Sequence, residues 1–313
     1  KDSAFTSHIL KYKYGMNPLT VTWAPHLYTD IGWKNFESWI HVGGHDNILF
    51  TPNGKLHRQL TRLAFLNLLH PFQPFIVGQR IIGPLMAKKF GVHLVMYGEN
   101  QDAEYGGGKN KQYRGEETLK ERYDNQSLRV KKGVDTLIDI GVKKNLLDKS
   151  FRKNKYLEDY RLPTYSDVKD SKIKFYFFSY FSKWIPQHNY YYAQQYLNFK
   201  TGESRSQGTF TSYTSLDDKL DELYYYMQYI KFGMGRATWD AAQEIRTNII
   251  NRDEGIALVK KYDHEYPKIY FNDILEYLSI SEETFWSVID KHRNSELFFK
   301  DSLDNWKLKT VIK

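Results

Sequence analysis

The chain has 313 residues, 41% hydrophobic and 16% aromatic, enough for one large core or two modest ones. A mean hydropathy of −0.63 and the absence of any apolar run of about eighteen residues argue against a membrane span; the densest aromatic stretch, 175–184, is too short. With no cysteine, disulfides, thiolate-bound zinc and thiol catalysis are excluded within these residues, which fits a cytoplasmic enzyme. The start, Lys1-Asp2-Ser3, leads into an amphipathic helix pattern rather than a signal-peptide core. A net charge of +8 and a pI near 9.1 raise the question of nucleic acid. The basic residues are interleaved with acids along the chain, however, and a scattered excess better suits solubility and attraction for a phosphorylated small molecule.

In chain order, residues 4–14 put Phe5, Ile9 and Tyr12 on one helical face, closed by Gly15. Residues 19–23 form a short β-branched and apolar run, a buried strand. Asp30 is expected to cap a helix through Phe36, Trp39 and Ile40 that ends at Gly43-Gly44. A second strand follows at 47–51, then the turn Pro52-Asn53-Gly54 and a helix over 56–69. A further helix is expected at 81–90, with Gly91 breaking it before a third strand at 92–97. Strand, helix and strand at this spacing imply one parallel sheet with crossover helices, in which ligands sit at the carboxyl ends of the strands.

Those ends are 23–28, 51–53 and 98–100. The polar stretch 101–127, with Gly106-Gly107-Gly108, reads as a loop able to close over a site. Beyond it the pattern is mainly helical: a helix over 215–232, an interruption at Gly233-Met234-Gly235, resumption at 237–250, and a last strong helix capped by Ser281.

Three groups of residues are candidates for chemistry. Lys1-Asp2-Ser3 open a helix, where unpaired N–H groups and the dipole suit a phosphate; the plainer reading is an ordinary N-cap. Glu99 and Asn100 follow a buried strand, where a carboxylate can hold a metal or orient a nucleophile, or can be a simple loop acid. Phe232 to Arg236, with Arg246, Arg252, Asp253 and Glu254 following, combine close-approach glycines with guanidinium forks; solvated charges after a helix break are the alternative. His41 and His45 are separated by Gly43-Gly44, which argues against a shared zinc. Tyr190 to Tyr192 and Tyr224 to Tyr226 read as half-buried packing, with base or sugar stacking as the sharper alternative.

Several stretches carry a family resemblance. They are Leu27-Tyr28-Thr29-Asp30-Ile31-Gly32-Trp33-Lys34-Asn35-Phe36, Asp46-Asn47-Ile48-Leu49-Phe50-Thr51-Pro52-Asn53-Gly54-Lys55, His70-Pro71-Phe72-Gln73-Pro74-Phe75, Tyr97-Gly98-Glu99-Asn100 and Lys231-Phe232-Gly233-Met234-Gly235-Arg236-Ala237. Together they resemble the N-acetyl sugar amidotransferases of the pseudaminic and legionaminic acid or lipopolysaccharide O-antigen type. These belong to the PP-loop ATP pyrophosphatases. The loop of that superfamily reads Ser-Gly-Gly-x-Asp-Ser, and only its second half is present here, as Lys1-Asp2-Ser3.

The resemblance implies an α/β fold: a parallel-sheet, Rossmann-like adenine-nucleotide domain over 1–128, lacking its first strand and half its loop, and a mainly helical region over 129–313. It implies ATP with Mg²⁺, adenylation of an acetamido oxygen, and attack by ammonia from a separate glutaminase subunit resembling that of histidine biosynthesis, possibly joined by its cyclase-like companion. A zinc site is implied only in a cysteine-containing segment upstream of this sequence. Asp2 and Ser3, with Lys1, would hold the pyrophosphate, and Asp2 the metal. Position within the pattern places Tyr28, Thr29, Asp30 and Gly32 near adenine, Glu99 facing metal or ammonia, and Arg236 on a phosphate or a sugar carboxylate. Two other readings are a tRNA-modifying enzyme of the same superfamily and a non-catalytic scaffold relative.

Overall fold

A computed structural model describes residues 1–99, 133–161 and 171–312, together with the backbone of 116–118. The first helix, α1 (Asp2–Tyr12), buries Ala4, Phe5, His8 and Leu10, while Tyr12, expected on the same face, is 58% exposed. The reason is tertiary. Phe5 packs edge-on against Phe178, Trp184 and Tyr192, so the buried face turns toward those rings and Tyr12 is left at the rim.

The next elements are β1 (Thr20–Trp23), α2 (Asp30–His41), β2 (Asn47–Phe50), α3 (Gly54–Leu68), α4 (Gln73–Phe90) and β3 (Leu94–Tyr97). Two boundaries differ from expectation. Thr29, not Asp30, caps α2: its hydroxyl accepts from the Gly32 amide at 2.9 Å. Helix α4 starts eight residues early, because Pro74 lies in the first turn, where a missing N–H costs no hydrogen bond. Gly78 does not break it either. A Cβ there would lie 2.2 Å from the Trp23 indole, so the glycine lets β1 approach the helix.

The strands are parallel as expected, but they do not join into one sheet. β1 pairs with β2 from Thr20↔Asn47 to Trp23↔Phe50. β3 pairs in parallel with β5 (Lys174–Phe177), and β4 (Glu116–Thr118) pairs antiparallel on the far side of β5. β1 and β3 are therefore both edge strands, with a cavity between them whose lining includes every residue of each. The aromatic run containing β5 gave no periodicity from which a strand could be read.

The rest is largely helical: α5 (Asp135–Lys143), α6 (Phe178–Phe181), α7 (Pro186–Leu197), α8 (Asp221–Phe232), α9 (Arg236–Arg246), α10 (Arg252–Tyr262), α11 (Phe271–Leu278) and α12 (Glu282–His292), closed by the hairpin β6 (Phe298–Lys300) and β7 (Trp306–Leu308). Ser281 caps α12 as expected, accepting from the Thr284 amide at 3.1 Å. The helix expected over 215–232 begins only at Asp221, since Ser215 adopts a left-handed conformation at φ 54° and 215–220 is irregular. The largest core joins both halves of the chain. Phe65 and Leu69 at the end of α3 pack with Leu223, Met227 and Ile230 of α8, and with Phe285 and Ile289 of α12. Phe65 and Phe285 stack at 5.4 Å, and each such ring buried contributes roughly 1.5–3 kcal/mol. Among the described residues no helix is long and apolar enough to cross a membrane.

Candidate functional site

One cavity of about 2270 Å³ dominates the molecule, more than twice the roughly 1,000 Å³ at which small-molecule pockets usually end. Its floor is the start of α1 and the carboxyl ends of β1 and β3; its walls are α4 on one side and 211–244 on the other. It is large enough for two reactants together.

At the floor, Lys1, Asp2 and Ser3 open α1 with no side-chain cap. The plain N-cap reading therefore does not hold. Asp2 turns aside instead, its Oδ2 taking the Lys1 ammonium at 2.6 Å and its Oδ1 accepting from Asn189 at 3.1 Å. Burial alone would raise the Asp2 carboxyl. The adjacent positive charge of Lys1 and these hydrogen bonds outweigh it, so the group lies below the ordinary range. Among the described residues, no side chain caps the first-turn amides, which open on the cavity. Gly98 brings the end of β3 against α1: a Cβ there would lie 3.2 Å from Thr6 Oγ1 and 3.4 Å from the Asp2 backbone. That approach sets Glu99 beside Asp2. Although open to the cavity, the Glu99 carboxyl is held above its usual range by the protein surrounding it, then by the carboxylates of Asp2 and Asp217.

Asp217 arrives from the irregular segment 215–220. That segment docks on the start of α2, where Thr29 N donates to Asp217 O at 3.4 Å and the Thr29 hydroxyl donates to the Leu216 carbonyl. Gly32 makes the docking possible, since a Cβ there would lie 2.5 Å from Asp217 Cα and 2.8 Å from Leu216 O. Asp218 fastens it from below, accepting from the amide and from Nδ1 of His26, both at 2.7 Å. Asp217 opens into the cavity, and its surroundings of protein, with Asp218 next to it, push its carboxyl up. Asp221, at the first turn of α8, is pushed up to about 7 by burial, with Arg236 opposing the shift.

Arg236 begins α9, stacks over the Tyr225 ring at 4.3 Å and gives its Nε to Asp240 at 2.9 Å. Gly235 positions it: a Cβ there would lie 2.6 Å from the Asp263 carbonyl, and Asp263 accepts from the amides of Gly235 and Thr238, both at 2.8 Å. Trp239 Nε1 donates to Gln228 at 3.1 Å on the same wall.

Of the residues expected to act, Lys1, Asp2, Ser3, Tyr28, Gly32, Glu99 and Arg236 line this one cavity. Thr29 and Asp30 do not. Thr29 is buried at the α2 cap, where it holds 215–220, and Asp30 is exposed outside the cavity lining. Tyr28, bridged to Asp218, has its hydroxyl pushed up to about 12 by burial and by Asp217 and Asp218. Asn53 caps α3, and Glu254 forms a capping box with Asn251, leaving both to structural duty. Asn100 and the expected closing loop at 101–127 lie outside the described residues, apart from the backbone of β4.

Asp217, Asp221, Gln228, Trp239 and Asp240 were not foreseen. For Asp217 and Asp221 the one sequence signal is the acid-rich stretch 217–222, which helical periodicity obscured; the other three carried none. Among the described residues, no three His, Asp or Glu side chains are grouped as a metal cage. Mg²⁺ bound with a nucleotide needs only one or two carboxylates besides phosphate and water, which Asp2 and Glu99 can offer.

Residues 207–313 match the family model described as LPS biosynthesis protein WbpG-like, C-terminal domain. The match takes in Asp217, Asp221, Arg236 and the rest of the α8–α9 wall, but not the floor. Comparison with curated proteins gives no match.

Proposed function

We propose that this chain is the ATP-using synthetase subunit of an amidotransferase that converts an acetamido group of an N-acetyl sugar, used in lipopolysaccharide or related glycan synthesis, into an acetamidino group. The observation that carries this reading is the floor of the cavity: a helix start free of side-chain caps, at the carboxyl ends of two parallel strands, with Glu99, Asp217 and Asp221 around it. The lipopolysaccharide family match over the opposite wall supports a sugar as the second reactant.

In this reading 1–128 is the nucleotide unit and 129–313 forms the sugar and partner region.

The chemistry balances in two steps. The acetamido oxygen attacks the α-phosphorus of ATP, pyrophosphate leaves, and the carbon becomes an O-adenylated imidate. Ammonia then adds to that carbon, one of its protons passes to a nearby base, and AMP departs with the oxygen to leave the amidine. The α1 amides and Lys1 would bind the leaving pyrophosphate, whose Mg²⁺ Asp2 and Glu99 would face. Asp221, with a carboxyl at about 7, suits the proton acceptor at neutral pH. Ammonia would come from a separate glutaminase, because the chain holds no cysteine nucleophile.

The test is mass spectrometry of candidate nucleotide sugars and nonulosonic acids incubated with the full-length protein, ATP, Mg²⁺ and ammonium. A product about 1 Da lighter, formed with equimolar AMP, is expected from the exchange of O for NH. Unchanged substrates across the panel would sink the reading.

A further inference from the structure

The charge of the cavity is divided. Its floor and its 211–244 wall carry Asp2, Glu99, Asp217, Asp218, Asp221, Asp240 and Glu244 against three cations: Lys1 (paired with Asp2), Arg236 (paired with Asp240) and Lys231 at the far end of α8. The opposite side is the reverse. Positions 47–98, which form β2, α3, α4 and β3, contain no Asp or Glu at all.

Three basic side chains gather where that side meets the end of α8. His70, in the turn between α3 and α4, stacks on Tyr224 at 5.2 Å. Arg80 of α4 lies within electrostatic reach of the same tyrosine. Lys231, near the end of α8, reaches across to the Leu68 carbonyl at 3.4 Å. All three line the cavity, together with Gln79 and Gln228, whose amides are neutral donors.

We propose that His70, Arg80 and Lys231 form a second phosphate subsite, distinct from the start of α1, which takes the diphosphate of a nucleotide-linked sugar. This rests on the function proposed above and decides what that function leaves open, namely whether the acceptor sugar arrives carried on a nucleotide. The physical argument is orientation. A diphosphate carries at least two negative charges and is repelled by the many carboxylates of the floor, while the rim, which sets His70, Arg80 and Lys231 against the one acid, Asp221, that bears on Tyr224, attracts it. A diphosphate held at the rim points its sugar inward, toward the floor where the acetamido group must meet ATP. The cavity volume accommodates both reactants, and the two phosphate sites lie on different elements, so they need not compete.

The probe is uridine diphosphate, with ATP–Mg²⁺ as the second arm, titrated by calorimetry into the full-length protein and into Arg80→Gln, Lys231→Gln and the conservative Lys231→Arg. Loss of one charge-assisted contact should weaken uridine diphosphate binding about tenfold in each Gln variant, with Lys231→Arg restoring most of it and ATP affinity unchanged. Binding of uridine diphosphate to the unaltered protein should also weaken with rising salt, a readout that does not depend on any variant folding well. An equal loss of ATP affinity would assign the rim to ATP and overturn the proposal. Unchanged uridine diphosphate affinity in both Gln variants, or salt-independent binding, would overturn it as well. A sugar panel that yields no amidine would count against the proposed reaction but leave these titrations interpretable.

Discussion

The floor of the cavity and its 211–244 wall carry similar groups but are assembled by different means. On the floor, each polar residue stands where a regular element begins or ends: Lys1 to Ser3 at the start of α1, Glu99 just past β3. On the wall, Asp217 is delivered by an irregular segment held in place by Thr29, Gly32 and His26, residues nearly two hundred positions away. Strand ends are local events set by short patterns. Loop docking is a long-range event, set by one glycine and a few hydrogen bonds. The wall is therefore the more fragile half of the site, although it shares its core with α3.

The largest test concerns that shared core. Phe285→Ala removes a fully buried ring stacked on Phe65, and should cost about 4 kcal/mol in chemical denaturation. Because Phe65 belongs to α3, the loss should appear in a single transition; two separate transitions, only one of them shifted, would show that the halves fold independently.

Gly32→Val tests the docking itself. Its side chain would collide with the backbone of Leu216 and Asp217, so a loss of about 3 kcal/mol is expected. Amide exchange should rise over 215–220, while β1 and β2 keep their protection. Uniform loss of protection would mean that wall and floor are not separable.

The smallest effect comes from Asp221. Its carboxyl is raised in the fold, so it stabilises the protein fully below the unfolded value near 4 and loses that contribution as pH climbs through about 7. Asp221→Asn should therefore match the parent at pH 4 and melt about 2–4 °C higher at pH 8. Equal melting temperatures at both pH values would show that the carboxyl is solvated like a surface acid.

Much of the N-terminal half was legible because its signals are local. The β-branched run at 20–23, the Gly43-Gly44 stop and the Gly91 stop each reflect one or two residues acting on their own backbone. The misreadings share one cause. The helix expected at 81–90 reaches back to Gln73, because Pro74 sits where no hydrogen bond is lost and Gly78 makes room for Trp23. Leu216, Leu220 and Leu223 have helical spacing, yet the contacts of 215–218 with α2 outweigh the propensity of that one turn.

By itself the sequence determined the parallel strands, the mainly helical C-terminal part and the positions of Lys1 to Ser3, Glu99 and Arg236 at element ends, since periodicity and capping are written in neighbouring residues. Only the tertiary structure decided that these groups share one cavity, that Asp217 and Asp221 join them while Thr29 and Asp30 do not, and that a basic rim faces an acidic floor. Such arrangements depend on which distant surfaces can approach. At Gly32, Gly78 and Gly98, that is settled by space for a single carbon atom.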